Sequence, residues 1–277
     1  MTVDADQQPA KAPVPTRPLN TTRTSLAAAS VGLAKRELHN IRRLPSAFLP
    51  ALLMPVFQAI AFSGTFYAIT RIPGFPTDRS INWFLPLAVL MGSGFTGIGV
   101  GLAAVRDIEN GFYDRLRTAP TPRASLITGP LLGALARSAI VTTIVVTVGF
   151  LFGARLITGP IGLLPLYIAG FGLAATGTGW GLGLAFRFQD MRAAALMQLT
   201  LFIGLFLTDA QVPLFIMEGW LHTVARVNPF TNILRLAREG WVTEISWNNT
   251  WGGLLALGVL STLTLWFARR GLNHLDE

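Results

Sequence analysis

The residues that could do chemistry in this chain are few, and they form no nucleotide-binding motif. Lys11 and Lys35 are the only lysines, and neither is followed by serine or threonine. A P-loop needs that pair, because its lysine contacts the phosphates and the hydroxyl binds magnesium. The absence of cysteine excludes disulfides and thiolate chemistry. We therefore expect no catalysis by this chain alone and no cofactor bound to it.

Ionisable groups are also scarce within the apolar runs of the chain. Arg137 lies inside the third run and Asp209 at the end of the fifth, and the three histidines lie outside the runs. We expect Arg137 to extend its guanidinium toward the nearer membrane surface. Ion-coupled carriers usually place ionisable groups inside the membrane. The pattern disfavours a proton-coupled carrier.

The polar loop at residues 106–123 has the pattern of a short amphipathic helix. Charged side chains lie off its apolar face, and Pro120 and Pro122 end the element. A helix of this kind in a polar loop is suited to docking in a groove of a partner. The alternative is an amphipathic turn lying on the lipid headgroups. The apolar face is formed by Val105, Ile108, Phe112 and Leu116.

The second informative loop precedes the last apolar run. Its apolar stretch at residues 212–220 is too short to cross a bilayer. Asn228 and Pro229 provide a helix cap and first position. The loop predicts two short helices that dip into the outer leaflet. The alternative is a pair of interfacial helices held by Trp220 and Trp241.

Long apolar runs position these loops. The chain is 51% hydrophobic and 13% charged, with a mean hydropathy of +0.51, whereas soluble domains carry about 25% charged residues. Runs of roughly 18 or more apolar residues indicate membrane spans. We predict an all-α polytopic membrane protein with six transmembrane helices, at residues 44–69, 83–105, 126–152, 161–186, 193–208 and 251–268.

A tail and a surface helix precede the first span. Residues 1–23 are rich in proline and polar residues, and we expect a disordered cytoplasmic tail. Residues 24–43 have the pattern of a basic amphipathic helix on the membrane surface, or of a charged flank to the first span. The transmembrane domain would extend over 24–270, with a short cytoplasmic tail at 271–277. The basic residues of the surface helix are Lys35, Arg36, Arg42 and Arg43.

The distribution of basic residues predicts the orientation. With the N-terminus inside, 15 of the 22 basic residues lie in inner segments and six in outer loops, and the remaining one is Arg137. Inner loops carry the excess of basic residues, so both termini are predicted to be cytoplasmic. The basic residues flank apolar runs and form no basic domain. The net charge of +8 therefore does not indicate nucleic-acid binding.

Glycines in the second and fourth spans recur at four-residue intervals. Such spacing lets helix backbones approach closely. We expect this packing within one bundle, and the alternative is an interface between subunits. The pairs are Gly97/Gly101, Gly177/Gly181 and Gly179/Gly183.

Both polar loops resemble those of the type-2 ABC exporter permeases, the membrane subunits of drug, lipid and polysaccharide exporters. The similarity covers residues 24–270 and is closest to the daunorubicin-resistance-like drug-efflux branch. The first loop contains Glu109-Asn110-Gly111, Asp114-Arg115-Leu116, Pro120 and Arg123. The second contains Pro213, Met217, Gly219-Trp220-Leu221, Asn228-Pro229-Phe230 and Arg235.

The resemblance implies roles for particular segments. Residues 107–120 would be the coupling helix that docks on an ATP-binding subunit, and residues 24–43 the connecting helix at the membrane surface. The coupling residues would be Asp107, Glu109, Gly111, Asp114, Arg115, Arg117 and Pro120.

The resemblance also implies a substrate path. Residues 213–239 would form a re-entrant hairpin that caps this path, and the second and fifth spans would line it. In this chain the lining would include Phe95, Phe202 and Phe206. The hairpin residues would be Pro213, Met217, Trp220, Asn228, Pro229 and Arg235.

The function implied by the resemblance is export of a hydrophobic drug-like or lipid-like substrate across the plasma (inner) membrane. Two copies of an ATP-binding subunit would carry ATP and magnesium. A second permease, identical or related, would complete the assembly within the lipid. One alternative is a permease for lipid-linked polysaccharide. A different class would be a gradient-driven carrier or a membrane scaffold, which needs no P-loop ATPase.

Overall fold

A computed structural model describes residues 25–43, 45–113, 115 and 121–274 of the chain. The predicted tail 1–23 and residues 275–277 lie outside this part. Within it the chain is almost entirely helical, and one isolated β-bridge joins Glu239 to Thr243. The helices are α1 Leu26–Arg43, α2 Pro45–Thr65, α3 Ser80–Glu109, α4 Ser125–Leu151, α5 Leu163–Phe188, α6 Ala193–Phe206, α7 Gly219–Val227, α8 Pro229–Arg238 and α9 Trp247–His274.

Four helical segments are long and apolar enough to cross a membrane. They are α3, α4, α9 and the segment Gly159–Phe188, which combines a 3-10 turn with α5. At about 1.5 Å per residue, the longest of them extend roughly 45 Å, more than the ~30 Å hydrocarbon core. The predicted first and fifth spans coincide with α2 and α6, whose apolar stretches Leu52–Thr65 and Ala193–Phe206 are shorter.

The helix α3 forms the centre of the bundle. Every residue from Ser80 to Gly94 is buried, and α2, α4 and α5 pack around it. A helix that is apolar on all sides belongs in a protein interior, and α3 is continuous through Pro86. In contrast, α6 contacts the bundle through one narrow stripe: Ala193, Met197, Leu201 and Leu205.

Glycine positions account for the close packing of α5 between α3 and α9. A Cβ atom at Gly101 would lie 2.5 Å from the Gly181 Cα atom of α5. On the opposite side of α5, a Cβ atom at Gly179 would lie 2.6 Å from the Leu265 nitrogen of α9. Backbone atoms cannot move aside as a flexible side chain can. The prediction of glycine packing within one bundle is therefore confirmed.

Candidate functional site

The helix α1 packs closely on the start of α4. A Cβ atom at Gly129 would lie 2.6 Å from the Leu33 Cβ atom, and one at Gly133 would lie 2.8 Å from the Glu37 Cβ atom. The Ser30 and Thr128 hydroxyls are 2.6 Å apart and share a hydrogen bond. The face of α1 that packs on α4 therefore contains Ser30, Leu33 and Glu37.

A bidentate ion pair joins α1 to the end of α3. Arg36 donates from Nη1 to Asp107 Oδ2 over 2.8 Å and from Nη2 to Asp107 Oδ1 over 2.7 Å. The guanidinium carbon also lies 4.1 Å from the centre of the Phe112 ring. The hydrogen bonds to Asp107 raise the pKa of Arg36 above its usual value. Paired, parallel hydrogen bonds of this kind fix orientation as well as distance.

A second ion pair joins the neighbouring residue of α1 to α4. Arg137 Nη2 lies 3.2 Å from Glu37 Oε2, and the two side chains are 13% and 7% exposed. An isolated charge at such a position would be costly, and here the two opposite charges lie next to each other. We call Arg36, Glu37, Asp107 and Arg137 together the α1 junction. Sequence reasoning identified Arg137 as unusual but did not identify Glu37 as its partner.

The predicted coupling segment begins at this junction. Gly111 has a positive φ of 65°, and its nitrogen donates to the Ile108 oxygen, so the helical path turns directly after α3. Phe112 packs against the core and Tyr113 is buried against Phe186. Burial raises the pKa of the Tyr113 phenol.

Within the predicted coupling set, Asp107 lies in the α1 junction, whereas Glu109 and Arg115 are exposed. Asp114, Arg117 and Pro120 lie outside the described residues.

At the other end of α3, a buried arginine of α8 contacts both α3 and the segment that follows α6. Arg238 Nη1 donates to Asp209 Oδ2 over 3.0 Å, and Nη2 donates to the Asp209 and Ala210 carbonyls over 3.2 Å. Its guanidinium carbon lies 3.4 Å from the centre of the Trp83 ring. Trp83 in turn donates from Nε1 to the Ala210 carbonyl over 3.0 Å. We call Trp83, Asp209, Ala210 and Arg238 the α8 anchor.

Further buried polar groups surround this anchor. Asn82 donates to the Arg155 and Trp241 carbonyls, each over 2.9 Å. The fully buried Glu239 accepts hydrogen bonds from Thr250 Oγ1 at 2.8 and 3.0 Å. These bonds hold the end of α8 against the start of α9. Glu239, like Arg238, was not singled out from the sequence.

Asn228 connects α7, α8 and α6. Its Oδ1 accepts from the Phe230 nitrogen over 2.9 Å, which confirms the predicted helix start. Its Nδ2 donates to the Gly204 and Leu207 carbonyls at the end of α6, each over 2.8 Å. One side chain thus caps the beginning of α8 and the end of α6.

The remaining predicted hairpin residues differ in exposure. Pro213 is buried and Met217 is half-buried, whereas Trp220, Pro229 and Arg235 are exposed. The first short helix begins at Gly219, so most of the apolar stretch at 212–220 precedes it. Proline lacks the amide hydrogen that a helix interior needs, so Pro213 disfavours a continuous helix through that stretch.

The three phenylalanines predicted to line a substrate path lie together. The Phe95 and Phe202 ring centres are 5.5 Å apart, and those of Phe202 and Phe206 are 5.9 Å apart. Leu201 of α6 packs where Gly94 of α3 leaves space, so the two helices lie side by side. All three rings are partly exposed and form a continuous aromatic row along α3 and α6.

Together the long apolar helices define a polytopic membrane protein. The family model described as ABC-2 type transporter matches residues 31–241 of the 277. The chain belongs to the ABC-2 type transporter family, which confirms the resemblance inferred from its two polar loops. In this family the chain is a membrane subunit of an ABC transporter, and a separate subunit binds ATP.

Named relatives agree with this assignment. The daunorubicin resistance ABC transporter permease protein DrrB1 of Streptomyces coeruleorubidus is 24% identical over 229 residues, which cover 78% of this chain and 76% of the relative. The putative transport permease ycf38 of Pyropia yezoensis is 28% identical over 224 residues, covering 79% and 75%. Its counterpart in Porphyra purpurea is 27% identical over 245 residues, covering 84% and 82%.

Proposed function

We propose that this chain is an export permease that moves a hydrophobic drug-like or lipid-like substrate out of the cell. The ATP would be hydrolysed by two copies of a separate subunit. A second permease, identical or related, would complete the path. Family membership and the daunorubicin resistance relative support this proposal over a gradient-driven carrier. The exposed aromatic row of Phe95, Phe202 and Phe206 supports an apolar substrate.

The observation that carries the proposal is the position of the predicted coupling segment. Its first residues form the last turn of α3, and Asp107 is joined through Arg36 to α1, which also contacts α4 through Glu37. A partner that moves residues 107–120 would therefore move α3 and α1 together. Rigid movement of this kind is how a binding event at one end of a bundle changes access at the other.

The proposed orientation places this segment in the cytoplasm and the α7–α8 pair on the outer side. Asp107 and Trp83 lie on the same helix, 24 positions apart. That separation corresponds to about 36 Å along α3, which exceeds the ~30 Å hydrocarbon core. We further propose six spans in the plasma membrane, with both termini inside and α7 and α8 re-entering the outer leaflet. The excess of basic residues in the inner segments supports this orientation.

A charge-reversal experiment tests the docking assignment. The double variant Asp114→Arg with Arg115→Asp should insert normally but lose either the bound ATPase or ATP-dependent export. The measurement is co-purification of the ATP-binding subunit from membranes, together with export of a hydrophobic dye. Glu218→Arg, which reverses an exposed charge beyond the other end of the bundle, is the matched control. Normal export by the double variant with its ATPase bound would refute the assignment.

A further inference from the structure

A cleft of about 330 Å³ lies between α8 and the first half of α9. The two helices run antiparallel, since Glu239 at the end of α8 contacts Thr250 near the start of α9. Further along, a Cβ atom at Gly252 would lie 3.5 Å from the Asn232 side chain. The residues at the start of α8 therefore lie beside residues further along α9, away from its first turn.

The lining of this cleft changes from polar to apolar along its length. The polar end is formed by Asn232, Arg235, Asn248 and Asn249. Toward the start of α8 the walls are Val227, Pro229, Leu255, Ala256 and Val259. From Asn248 to Val259 the cleft extends roughly 16 Å along α9, at about 1.5 Å per residue. The site would therefore hold a charged or polar group at one end and a hydrocarbon chain along the other.

The charge of the lining selects the headgroup. Among the described residues that form the walls, Arg235 is the one charged side chain, and it is exposed. The nearby carboxylate of Glu239 is buried and held by Thr250, so it does not line the cleft. A guanidinium with neighbouring amide donors matches a phosphate group, which accepts several charge-assisted hydrogen bonds. The described walls contain no carboxylate that could pair with the cation of a choline headgroup, so the lining favours a lipid with a net negative charge.

The tryptophans at this end fix the level of the cleft in the membrane. Trp247 and Trp251, in the first turns of α9, are 73% and 50% exposed. Tryptophan is enriched at the height of the lipid headgroups, where its ring meets apolar chains and its N–H meets water. The polar end of the cleft, at the first turn of α9, therefore lies at headgroup height, with Leu255 and Val259 toward the hydrocarbon.

We propose that this cleft binds a membrane phospholipid with an anionic headgroup. The phosphate contacts Arg235 and the amides of Asn232, Asn248 and Asn249, and one acyl chain lies along Leu255 and Val259. Gly252 leaves the space between the helices open. The proposal requires only that the chain is embedded in a bilayer and does not depend on export or on the identity of the transported substrate.

Native mass spectrometry of the purified full chain in detergent tests the proposal directly. Added phosphatidylglycerol should be retained in preference to phosphatidylcholine of the same acyl chains. Arg235→Gln should weaken retention of phosphatidylglycerol by roughly tenfold. Gly252→Leu should weaken retention of both lipids because the leucine fills the cleft. Arg226→Gln removes an exposed charge from α7 outside the cleft and should leave retention unchanged.

The outcomes separate a built site from general attraction. Equal retention of phosphatidylglycerol and phosphatidylcholine by the unaltered chain would overturn the proposal. So would a loss of phosphatidylglycerol retention in Arg226→Gln as large as that in Arg235→Gln. Competition by glycerol phosphate at the same concentration as the lipid would indicate a free phosphate site and would also overturn it. Unfolding temperatures are measured in parallel. If Arg235→Gln does not fold, the comparison of Gly252→Leu with the outward-facing Gly258→Leu decides the matter, and equal retention in both refutes the proposal.

Discussion

At the scale of single residues, the α8 anchor is a buried cluster held by an ion pair, hydrogen bonds and a ring contact. Arg238 is 4% exposed, yet its guanidinium contacts a carboxylate, two carbonyls and an indole ring. Removing one member of a buried ion pair costs about 3–5 kcal/mol, because the other charge stays buried without compensation. The anchor therefore ties the α7–α8 segment to α3 and to the chain that follows α6.

We predict that Arg238→Met and Asp209→Asn each lower the unfolding temperature in detergent markedly. The double variant should recover part of the loss, since no unpaired charge remains. The recovery should be incomplete, because the carbonyls of Asp209 and Ala210 lose their donor. Intrinsic tryptophan fluorescence during a thermal ramp measures the effect. Arg226→Met, at an exposed site on α7, is the control. If Arg238→Met and Asp209→Asn lower the unfolding temperature no more than this control does, the assigned role is wrong.

The aromatic row belongs to the same scale. If Phe95, Phe202 and Phe206 contact a transported apolar substrate, alanine at each position should raise the substrate concentration that half-stimulates ATP hydrolysis. Basal hydrolysis and folding should change little, because all three rings are partly exposed. Phe188→Ala, which removes an exposed ring at the end of α5, is the control. An unchanged half-stimulating concentration in all three variants would remove these residues from the substrate path.

Local signals predicted single residues well, whereas long-range partners were not predicted. The cap at Asn228 follows from its own position before Pro229, and the structure confirms it. The sequence marks Arg137 as unusual in an apolar run, but its partner Glu37 is 100 positions away. Glu37 is the one acidic residue of α1, so its charge, opposite to that of Arg137, was the only signal in the sequence for this pairing. Without knowing which helices meet, that signal does not select a partner.

At the scale of elements, α1 links the start of the proposed coupling segment to α4. Arg36 contacts Asp107 at the end of α3, and the next residue, Glu37, contacts Arg137 inside α4. The amphipathic pattern of residues 24–43 does not show which face of α1 packs on the protein. Gly129 and Gly133 open a groove on α4 that accepts Leu33 and Glu37, whereas Val31 is 46% exposed.

We predict that Gly133→Leu displaces α1 from α4 and weakens coupling. The new side chain would overlap Glu37, which lies 2.8 Å from a Cβ atom at that position. Membrane insertion should persist, while stimulation of the ATPase by substrate should fall. Gly32→Leu is the matched control, because a Cβ atom at Gly32 meets nothing within 4 Å. Substrate-stimulated ATPase activity in reconstituted membranes measures both variants, and equal stimulation would show that this contact is not needed for coupling.

At the scale of the whole molecule, the central helix α3 joins the α1 junction at one end to the α8 anchor at the other. Composition predicted the all-helical membrane class, and apolar runs located the four helical segments that are long and apolar enough to cross a membrane. The lengths of α2 and α6 were harder to predict, since an apolar run does not show where a helix gives way to turns. The predicted first span extended to residue 69, whereas α2 ends at Thr65 and a 3-10 turn follows.

The arrangement of the helices could not be read from the sequence. The packing around α3 depends on contacts such as that between Gly101 of α3 and Gly181 of α5. These two helices are not consecutive, because α4 lies between them in the sequence. Glycine spacing predicted close approach but not the partner helix. The central proposal concerns the assembled molecule: we propose that this permease moves a substrate only when a separate subunit hydrolyses ATP.

The direct measurement is export by purified components in proteoliposomes. The permease would be reconstituted with and without its cognate ATP-binding subunit, and accumulation of a hydrophobic dye would be followed after addition of ATP. We predict accumulation only when the permease, the subunit and ATP are all present. A Walker-lysine variant of the partner subunit should abolish accumulation while leaving the complex intact. Accumulation by the permease alone, without a nucleotide-hydrolysing partner, would contradict the account.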